Sequence, residues 1–291
     1  MNPKEDVRQF LMSRRASVNP ADVGLPAIRG DRRVPGLRRE EVAALAGVSA
    51  EYYTRLEKGN IAGASESVLN AIASALRLND VEREYLFDLA VGARSSGVGP
   101  TAQRAEPVVR PSVQRMLDAM TVPAIVQTPM QDIVASNLLA RAMYAPLFEN
   151  NPRPNFMRFN YLDPRSQDFF VDWPLSRRTG AAILRFEVGR DPSNSKLAML
   201  VAELSAASPL FKEDWARNDV HEHRTGVKSF RHPDVGVLEV AFDVFETPGD
   251  PHLRVVTYSA PAGTETAEKF VLLASWAAAH KETLPLSGLS D

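Results

Sequence analysis

Residues 38–59, RREEVAALAGVSAEYYTRLEKG, carry the side chains best suited to chemistry with a nucleic acid. Their spacing predicts two short helices around a sharp turn at Gly47, because glycine adopts positive φ angles at little cost. Val42, Leu45 and Ala46 recur at helical spacing and predict the buried stripe of the first helix. The pattern favours a helix-turn-helix over an ordinary helical hairpin whose arginines form only a solvated surface.

The second helix of this segment is the one that we expect to enter a DNA groove. The Ser49 hydroxyl is placed to cap its first turn by accepting a backbone N–H two or three residues further on. Tyr53 and Leu56 are predicted to point inward, which leaves the opposite face exposed. The predicted DNA-binding residues are Arg38, Arg39, Ser49, Ala50, Glu51, Tyr52, Thr54, Arg55 and Lys58.

The residue types of this face predict two kinds of DNA contact. Arg55 could pair with guanine through two hydrogen bonds, Glu51 could accept from a cytosine amino group, and Ala50 could touch a thymine methyl. Tyr52 could flank either the bases or the backbone. The remaining predicted residues suit phosphates, which position a protein without reading sequence. One such domain reads few base pairs, so we expect a homodimer on an inverted repeat with half-sites about 34 Å apart.

Composition bounds the class of protein. The chain has 291 residues, 44% of them hydrophobic, which is enough for one large domain or for two ordinary domains with separate cores. Its net charge is −2, but the segment from Arg29 to Arg39 holds five arginines against one acid, so we expect this loop to lie along phosphates rather than to be a mere exposed insertion.

The absence of cysteine excludes disulfides and thiolate chemistry. A charged start and no apolar run near about 20 residues predict a cytoplasmic protein without membrane contact.

Periodicity and turn residues predict a multidomain chain, with boundaries at residues 1–92, 93–107 and 108–291. The first part is predicted to be all-α, with helices at 3–17 and 65–76 beside the helix-turn-helix and a last one capped by Asn79. The Gly/Ser/Pro-rich stretch that follows is typical of a linker. The last part is predicted to be α+β.

The order of elements in the last part is distinctive. A helix opening at Pro111, whose inward residues are predicted to include Met116, precedes two short strands within residues 123–137. Mostly helical sequence follows to about Asn218. Three strands separated by Asp/Gly/Pro turns and a helix over about 264–280 close the chain. In the middle strand, alternation places Leu238, Val240, Phe242 and Val244 on one face.

Residues 5–90 resemble the Cro/repressor-type (XRE family) helix-turn-helix regulators through EEVAALAGVS followed by RLEKG. With VDW at 171–173, LVAELSAASPLFKEDWARNDV and HPDVGVLEV, nearly the whole chain resembles the MmyB-like regulators, which join this motif to a PAS-like ligand-binding domain. The resemblance implies a transcription regulator, an ion pair between Arg15 and Glu57, and a hydrophobic effector such as a fatty acid. No other cofactor is expected.

The second domain is rich in large apolar side chains, most of which must fill its core, yet a cavity lined by some of them would suit an apolar ligand. The predicted ligand-binding residues are Asn137, Tyr144, Phe159, Trp173, Arg185, Trp215 and Phe242. Arg177, Arg178, Arg185 and Arg224 are all candidates to hold a carboxylate.

Two other interpretations of the second domain stay open. It could serve only as a dimerisation or protein-interaction module. His221, His223 and His232 could also hold zinc, although His-x-His without a well-spaced third ligand is a weak pattern. The sequence holds no nucleophile elbow, phosphate loop or nucleotide fingerprint, so we predict no enzymatic activity and no resident metal.

Overall fold

The computed structural model describes residues 3–25, 36–95, 108–149, 151, 154–247 and 250–279. The chain divides into two compact units, each of which packs mainly against itself. The first consists of Met1–Gln103, Arg185–Ala198 and Trp215–Glu222, and the second of Arg104–Leu184, Met199–Asp214 and His223–Asp291.

The first unit is helical. Its N-terminal elements are α1 (Pro3–Ser17), a 3-10 turn (Pro20–Val23), α2 (Arg39–Leu45), α3 (Ala50–Glu57), α4 (Glu66–Ala75) and α5 (Asp80–Ser95). Polar caps decide where three of these helices begin, since each cap satisfies N–H groups that the helix itself leaves unpaired. The hydroxyls of Ser49 and Ser65 accept from the backbones of α3 and α4. Asn79 and Glu82 cap α5 reciprocally.

The core of this unit confirms most of the predicted buried positions. Val42, Ala46, Tyr53 and Leu56 are all buried. The prediction for Leu45 is wrong, because this side chain is 39% exposed. The short α2 packs against both α3 and α4, which turns the stripe toward Val42, Ala43 and Ala46 and leaves Leu45 at its border.

Two segments from later in the chain complete the first unit. Phe186 belongs to the same buried core as Phe10 and Tyr85, whose rings meet edge to face at 5.0 Å. Arg14 in α1 forms ion pairs with both Glu82 and Asp219. Residues 185–198 and 215–222 thus belong to the first unit, whereas the boundaries expected from the sequence placed them in the last domain. Residues 96–107, which make up most of the predicted linker, lie outside the described residues.

The second unit combines helices with an antiparallel sheet. Its strands are β1 (Ala124–Gln127), β2 (Ile133–Ser136), β3 (Thr225–His232), β4 (Gly236–Thr247) and β5 (Asp250–Ser259), in the order β2-β1-β5-β4-β3. The helices of this part of the chain are α6 (Pro111–Ala119), α7 (Leu138–Met143), α8 (Ala145–Phe148), α9 (Phe156–Leu162), α10 (Ser166–Phe169), α11 (Trp173–Arg190), α12 (Ser195–Ala207), α13 (Pro209–Ala216) and α14 (Glu265–Ala279). The chain is therefore a helical helix-turn-helix region followed by an α+β region. Within the described ranges no helix has the length and apolar content to cross a membrane.

The two faces of the sheet carry separate cores. On the inner face, Leu238, Val240 and Phe242 are buried with residues of α7–α10 and α14, which confirms the predicted alternation. On the outer face, α6 covers β1, β2 and β5 through Leu117. The prediction that Met116 points inward is wrong, since it is 44% exposed. One helical face holds positions 113, 117 and 120, and position 116 falls outside it.

Candidate functional site

The geometry of the helix-turn-helix places α3 for contact with a partner. Gly47 has a φ of +66°, which allows the sharp turn between α2 and α3. The Ser49 hydroxyl accepts from the Tyr52 N–H at 3.1 Å and fixes the first turn of α3. Tyr53 and Leu56 anchor the helix in the core. The opposite face of α3 is consequently presented outward on a rigid element.

A groove of about 480 Å³ runs along that outward face. It is lined by Arg39, Glu40, Ala50, Glu51, Thr54, Arg55, Lys58 and Asn60. Six of the nine predicted DNA-binding residues therefore come together here, and the groove carries three basic and two acidic side chains. Of the other three, Arg38 and Ser49 are exposed at the starts of α2 and α3, and Tyr52 is half-buried. Sequence reasoning missed Glu40 and Asn60; the position of Asn60 directly after the RLEKG motif was the available signal.

Tyr52 contacts Arg55, one of the residues that line this groove. The Arg55 guanidinium lies 5.0 Å from the centroid of the Tyr52 ring, within range of a cation–π contact. Both residues line a second groove of about 590 Å³, and Arg55 and Asn60 border both grooves. The aromatic ring therefore limits the rotamers that Arg55 adopts.

A buried ion-pair network ties α3 to its neighbours. Arg15 donates to Glu57 from Nε at 2.7 Å and from Nη2 at 3.2 Å, which confirms the pair implied by the resemblance. Arg39 donates to the same carboxylate at 2.9 Å from Nε. Burial acts to raise the pKa of Glu57, but hydrogen bonds and charge from Arg15 and Arg39 outweigh it, so the net pKa is lowered. Two arginines against one carboxylate leave a net positive charge, with Arg39 44% exposed beside the groove.

The remaining basic candidates precede α2. Three of the five arginines between residues 29 and 39 belong to residues 26–35, which lie outside the described residues. The expectation that this loop lies along phosphates stays a prediction. Arg38, at the start of α2, is exposed, and its backbone N–H donates to Glu41 at 2.7 Å. This bond fixes the backbone of Arg38 at the start of α2.

The second unit contains an aromatic cluster on the inner face of its sheet. The ring of Tyr144 meets those of Phe156, Phe230 and Tyr258 edge to face at centroid distances of 5.1 to 5.5 Å. Phe169 stacks on Phe230 at 5.3 Å. Burial, and then the neighbouring Tyr258 phenol, raises the pKa of the Tyr144 hydroxyl. The cluster is therefore a buried apolar core that contains the phenol groups of Tyr144 and Tyr258.

The structure brings some of the predicted ligand residues together and separates others. Tyr144, Phe159 and Phe242 belong to the inner-face core, with Trp173 packed against it. The side-chain amide of Asn137 forms four hydrogen bonds with backbone groups. Its oxygen accepts from the N–H groups of Ala124 and Ala140. Its nitrogen donates to the carbonyls of Leu117 and Val122. This side chain therefore caps α7 and fixes the strand connection.

Arg185 and Trp215 are the two predicted ligand residues that fall in the first unit. They contact each other: the Arg185 guanidinium lies 3.9 Å from the centroid of the Trp215 ring and donates to the Trp215 carbonyl at 2.7 Å. The spacing of residues could not predict this contact between Arg185 and Trp215, because α11 contributes residues to both units.

Two of the three histidines that suggested a zinc site, His223 and His232, have different partners in the structure. Nε2 of His232 lies 2.8 Å from the Ala142 carbonyl, and its Nδ1 accepts from the Asp234 N–H. The ring of His223 stacks on Phe242 at 4.3 Å. In the part of the chain that the structure describes, no group of three histidine or carboxylate side chains is arranged to hold a metal ion.

Comparison with known families finds two matches, and the second one includes residues 185–198 and 215–222, which pack with the first unit. Residues 11–86 match the model of a helix-turn-helix domain, the class that the α2–α3 geometry defines. Residues 109–273, more than half of the chain, match the MmyB-like transcription regulator ligand binding domain. The chain belongs to this MmyB-like family. No curated protein matches it. The protein is therefore a DNA-binding transcription regulator with a ligand-binding domain.

Proposed function

We propose that this protein binds a specific duplex sequence through α3 and that a hydrophobic small molecule, such as a fatty acid, controls this binding from the second unit. The protein would act in the cytoplasm as a homodimer on an inverted repeat. The observation that carries the proposal is the exposed face of α3, whose polar and charged side chains line a groove with three basic and two acidic groups.

The residues of that groove suit different tasks. Arg55, held against Tyr52, is proposed to read guanine, with Glu51 and Ala50 reading neighbouring base edges. Contacts to the sugar-phosphate backbone are assigned to the basic and hydroxyl side chains at the borders, namely Arg38, Arg39, Ser49, Thr54 and Lys58. Base contacts would then set specificity while the border residues set affinity and its dependence on salt.

Control by a ligand requires that the ligand bind one form of the dimer better than another, because equal affinity for both shifts nothing. Tyr144, Phe159 and Phe242 belong to the buried inner-face core, so the acyl chain is proposed to enter among these packed side chains. Each buried methylene of a ligand contributes about 0.8 kcal/mol, so an acyl chain binds with few polar contacts.

Two measurements test the proposal. The full chain should enrich a pseudo-palindromic duplex from a random pool, and footprinting should show two half-sites about 34 Å apart. Denaturing extraction of the purified protein should release an amphiphilic small molecule that is detected by mass spectrometry. Failure to enrich any duplex would contradict the DNA proposal. A protein with no releasable mass and no affinity for aliphatic probes would support an interaction module instead.

A further inference from the structure

One lysine occupies an unusual place in the second unit. Strand β3 alternates its side chains, so Lys228 shares the inner face with Phe230 and His232, both of which are buried. In the register of the sheet it lies opposite Val240 of β4, another buried residue of the inner-face core. The inner face of an antiparallel sheet ordinarily carries apolar side chains at such positions. A charged amine at such a position is stable only with a polar or anionic partner.

The neighbours of this amine are aromatic. Its Nζ lies 4.4 Å from the centroid of the Phe242 ring and 6.0 Å from that of Tyr258. Nε2 of His223, in the segment before β3, is 3.3 Å away. The side chain is half-buried, so a head group can reach it from the margin of the sheet.

None of these groups supplies a negative charge. The titratable groups that face the amine are the imidazole of His223 and, from β5, the phenol of Tyr258, with the phenol of Tyr144 behind it. Burial raises the pKa of both phenols, so they stay neutral near pH 7. Among the described residues no carboxylate forms an ion pair with Lys228.

Burial therefore disfavours the charged form of this amine, and none of the neighbouring groups named above offsets that effect with a negative charge. It lowers the pKa of Lys228 to about 7, because an ammonium loses hydration that no anion replaces. A ligand that brings a carboxylate would supply the missing charge and raise the pKa again.

The arginines considered from the sequence are less suited to this task. Arg177 already pairs with Asp214 at 3.1 Å and lies over the Trp173 ring. Arg185 is engaged with Trp215 in the first unit. Arg178 and Arg224 are exposed, so neither faces the inner-face core.

We propose that the Lys228 amine receives the carboxylate head group of an aliphatic ligand whose chain lies against the inner-face aromatic residues, and that a proton is taken up on binding. This inference rests on the proposed function, since it presumes that the second unit holds a hydrophobic small molecule. The amine becomes an ammonium, the carboxylate stays ionised, and the proton comes from solvent.

Proton uptake gives the proposal a specific pH dependence. Below pH about 7 the free protein already carries the ammonium, so affinity for a carboxylate is constant there. Above it, each binding event must protonate the amine, and affinity falls about tenfold per pH unit until the pKa of the bound state is reached.

Isothermal titration calorimetry on the full chain tests this with two probes, dodecanoate and 1-dodecanol, which share a chain and differ in charge. Titrations between pH 6 and pH 9, in buffers of different ionisation enthalpy, count the protons taken up. Lys228→Met should weaken dodecanoate binding about tenfold or more at pH 7 and leave dodecanol within about twofold. Lys228→Arg should keep dodecanoate binding without proton uptake, because a guanidinium stays charged. Wild-type protein should take up nearly one proton at pH 8.

The outcomes separate this inference from the proposed function. If dodecanoate binds wild-type protein and Lys228→Met alike, or without proton uptake in wild type, the assignment to Lys228 is overturned while the hydrophobic ligand stands. If neither probe binds wild-type protein, both are overturned. The proton count in wild-type protein decides the question even where a variant does not fold.

Discussion

Replacing Glu57 with glutamine tests whether the buried ion-pair network fixes α3. The substitution keeps the shape of the side chain and removes the charge that Arg15 and Arg39 share. Arg15 would then be left as a buried cation, since its side chain is only 11% exposed and that of Glu57 only 1%. Its Nη1 bond to the Leu37 carbonyl, at 2.7 Å, would compensate only in part.

The expected cost follows from how deeply each partner is buried. Breaking a buried pair by neutralising one member typically costs about 3–5 kcal/mol. The share that belongs to Arg39 is less than about 1 kcal/mol, because that guanidinium is 44% exposed and screened by water. We therefore expect Glu57→Gln to destabilise the first unit by about 3–5 kcal/mol, a large part of the stability of an ordinary domain.

Hydrogen exchange of the full chain, followed by peptide mass spectrometry, measures this effect locally. Amides of α1 and α3 that open with the first unit should lose about a hundredfold or more in protection. The matched control is Glu5→Ala, which removes an exposed carboxylate of α1 from its pair with Arg8 and should leave protection unchanged. If Glu57→Gln behaves like that control, the network does not hold α3 and the reasoning is wrong.

Three further outcomes are expected. The pKa of Glu57 in the folded protein lies below its ordinary value of 4.5, so the ionised carboxylate stabilises the fold fully above pH 4.5. This stabilisation is lost as the pH falls through the folded-state pKa. The hydrogen-exchange protection of the wild-type protein should therefore decline in acid more steeply than that of Glu57→Gln. Ser49→Ala should destabilise α3 by about 1 kcal/mol by removing its cap, measured by the same exchange. Gly189→Ala should cost about 1–3 kcal/mol in thermal unfolding, because the new Cβ would lie 2.1 Å from the Tyr85 ring; Gly63→Ala, with open space around it, is the control.

Local patterns made much of this fold predictable. The helix-turn-helix follows from short-range signals: apolar spacing, a glycine at the turn and a serine cap, each of which acts within one or two turns of helix. The same holds for the strands of the second unit, where Leu238, Val240 and Phe242 alternate and turn residues mark the ends. Patterns of this kind report which face is buried, without needing to know what covers it.

Long-range placement was not predictable. The exposure of Leu45 and Met116 depends on which neighbours their short helices meet. The pairing of Arg185 with Trp215 in the first unit depends on how the end of α11 packs.

The inward orientation of Lys228 was also not predicted, although its alternation with Phe230 and His232 is visible in the sequence. An isolated lysine in a strand is ordinarily assigned to solvent. The register against Val240 of β4 and the contact with the Phe242 ring show that this one faces the core.

Arg55→Ala tests most directly whether the outer face of α3 reads DNA bases. Equilibrium binding should be measured on the duplex that wild-type protein enriches and on an unrelated duplex of equal length at one salt concentration. We expect affinity for the enriched duplex to fall by about tenfold to a hundredfold and affinity for the unrelated duplex to change little. Equal losses on both duplexes, or none on either, would contradict base recognition by this face.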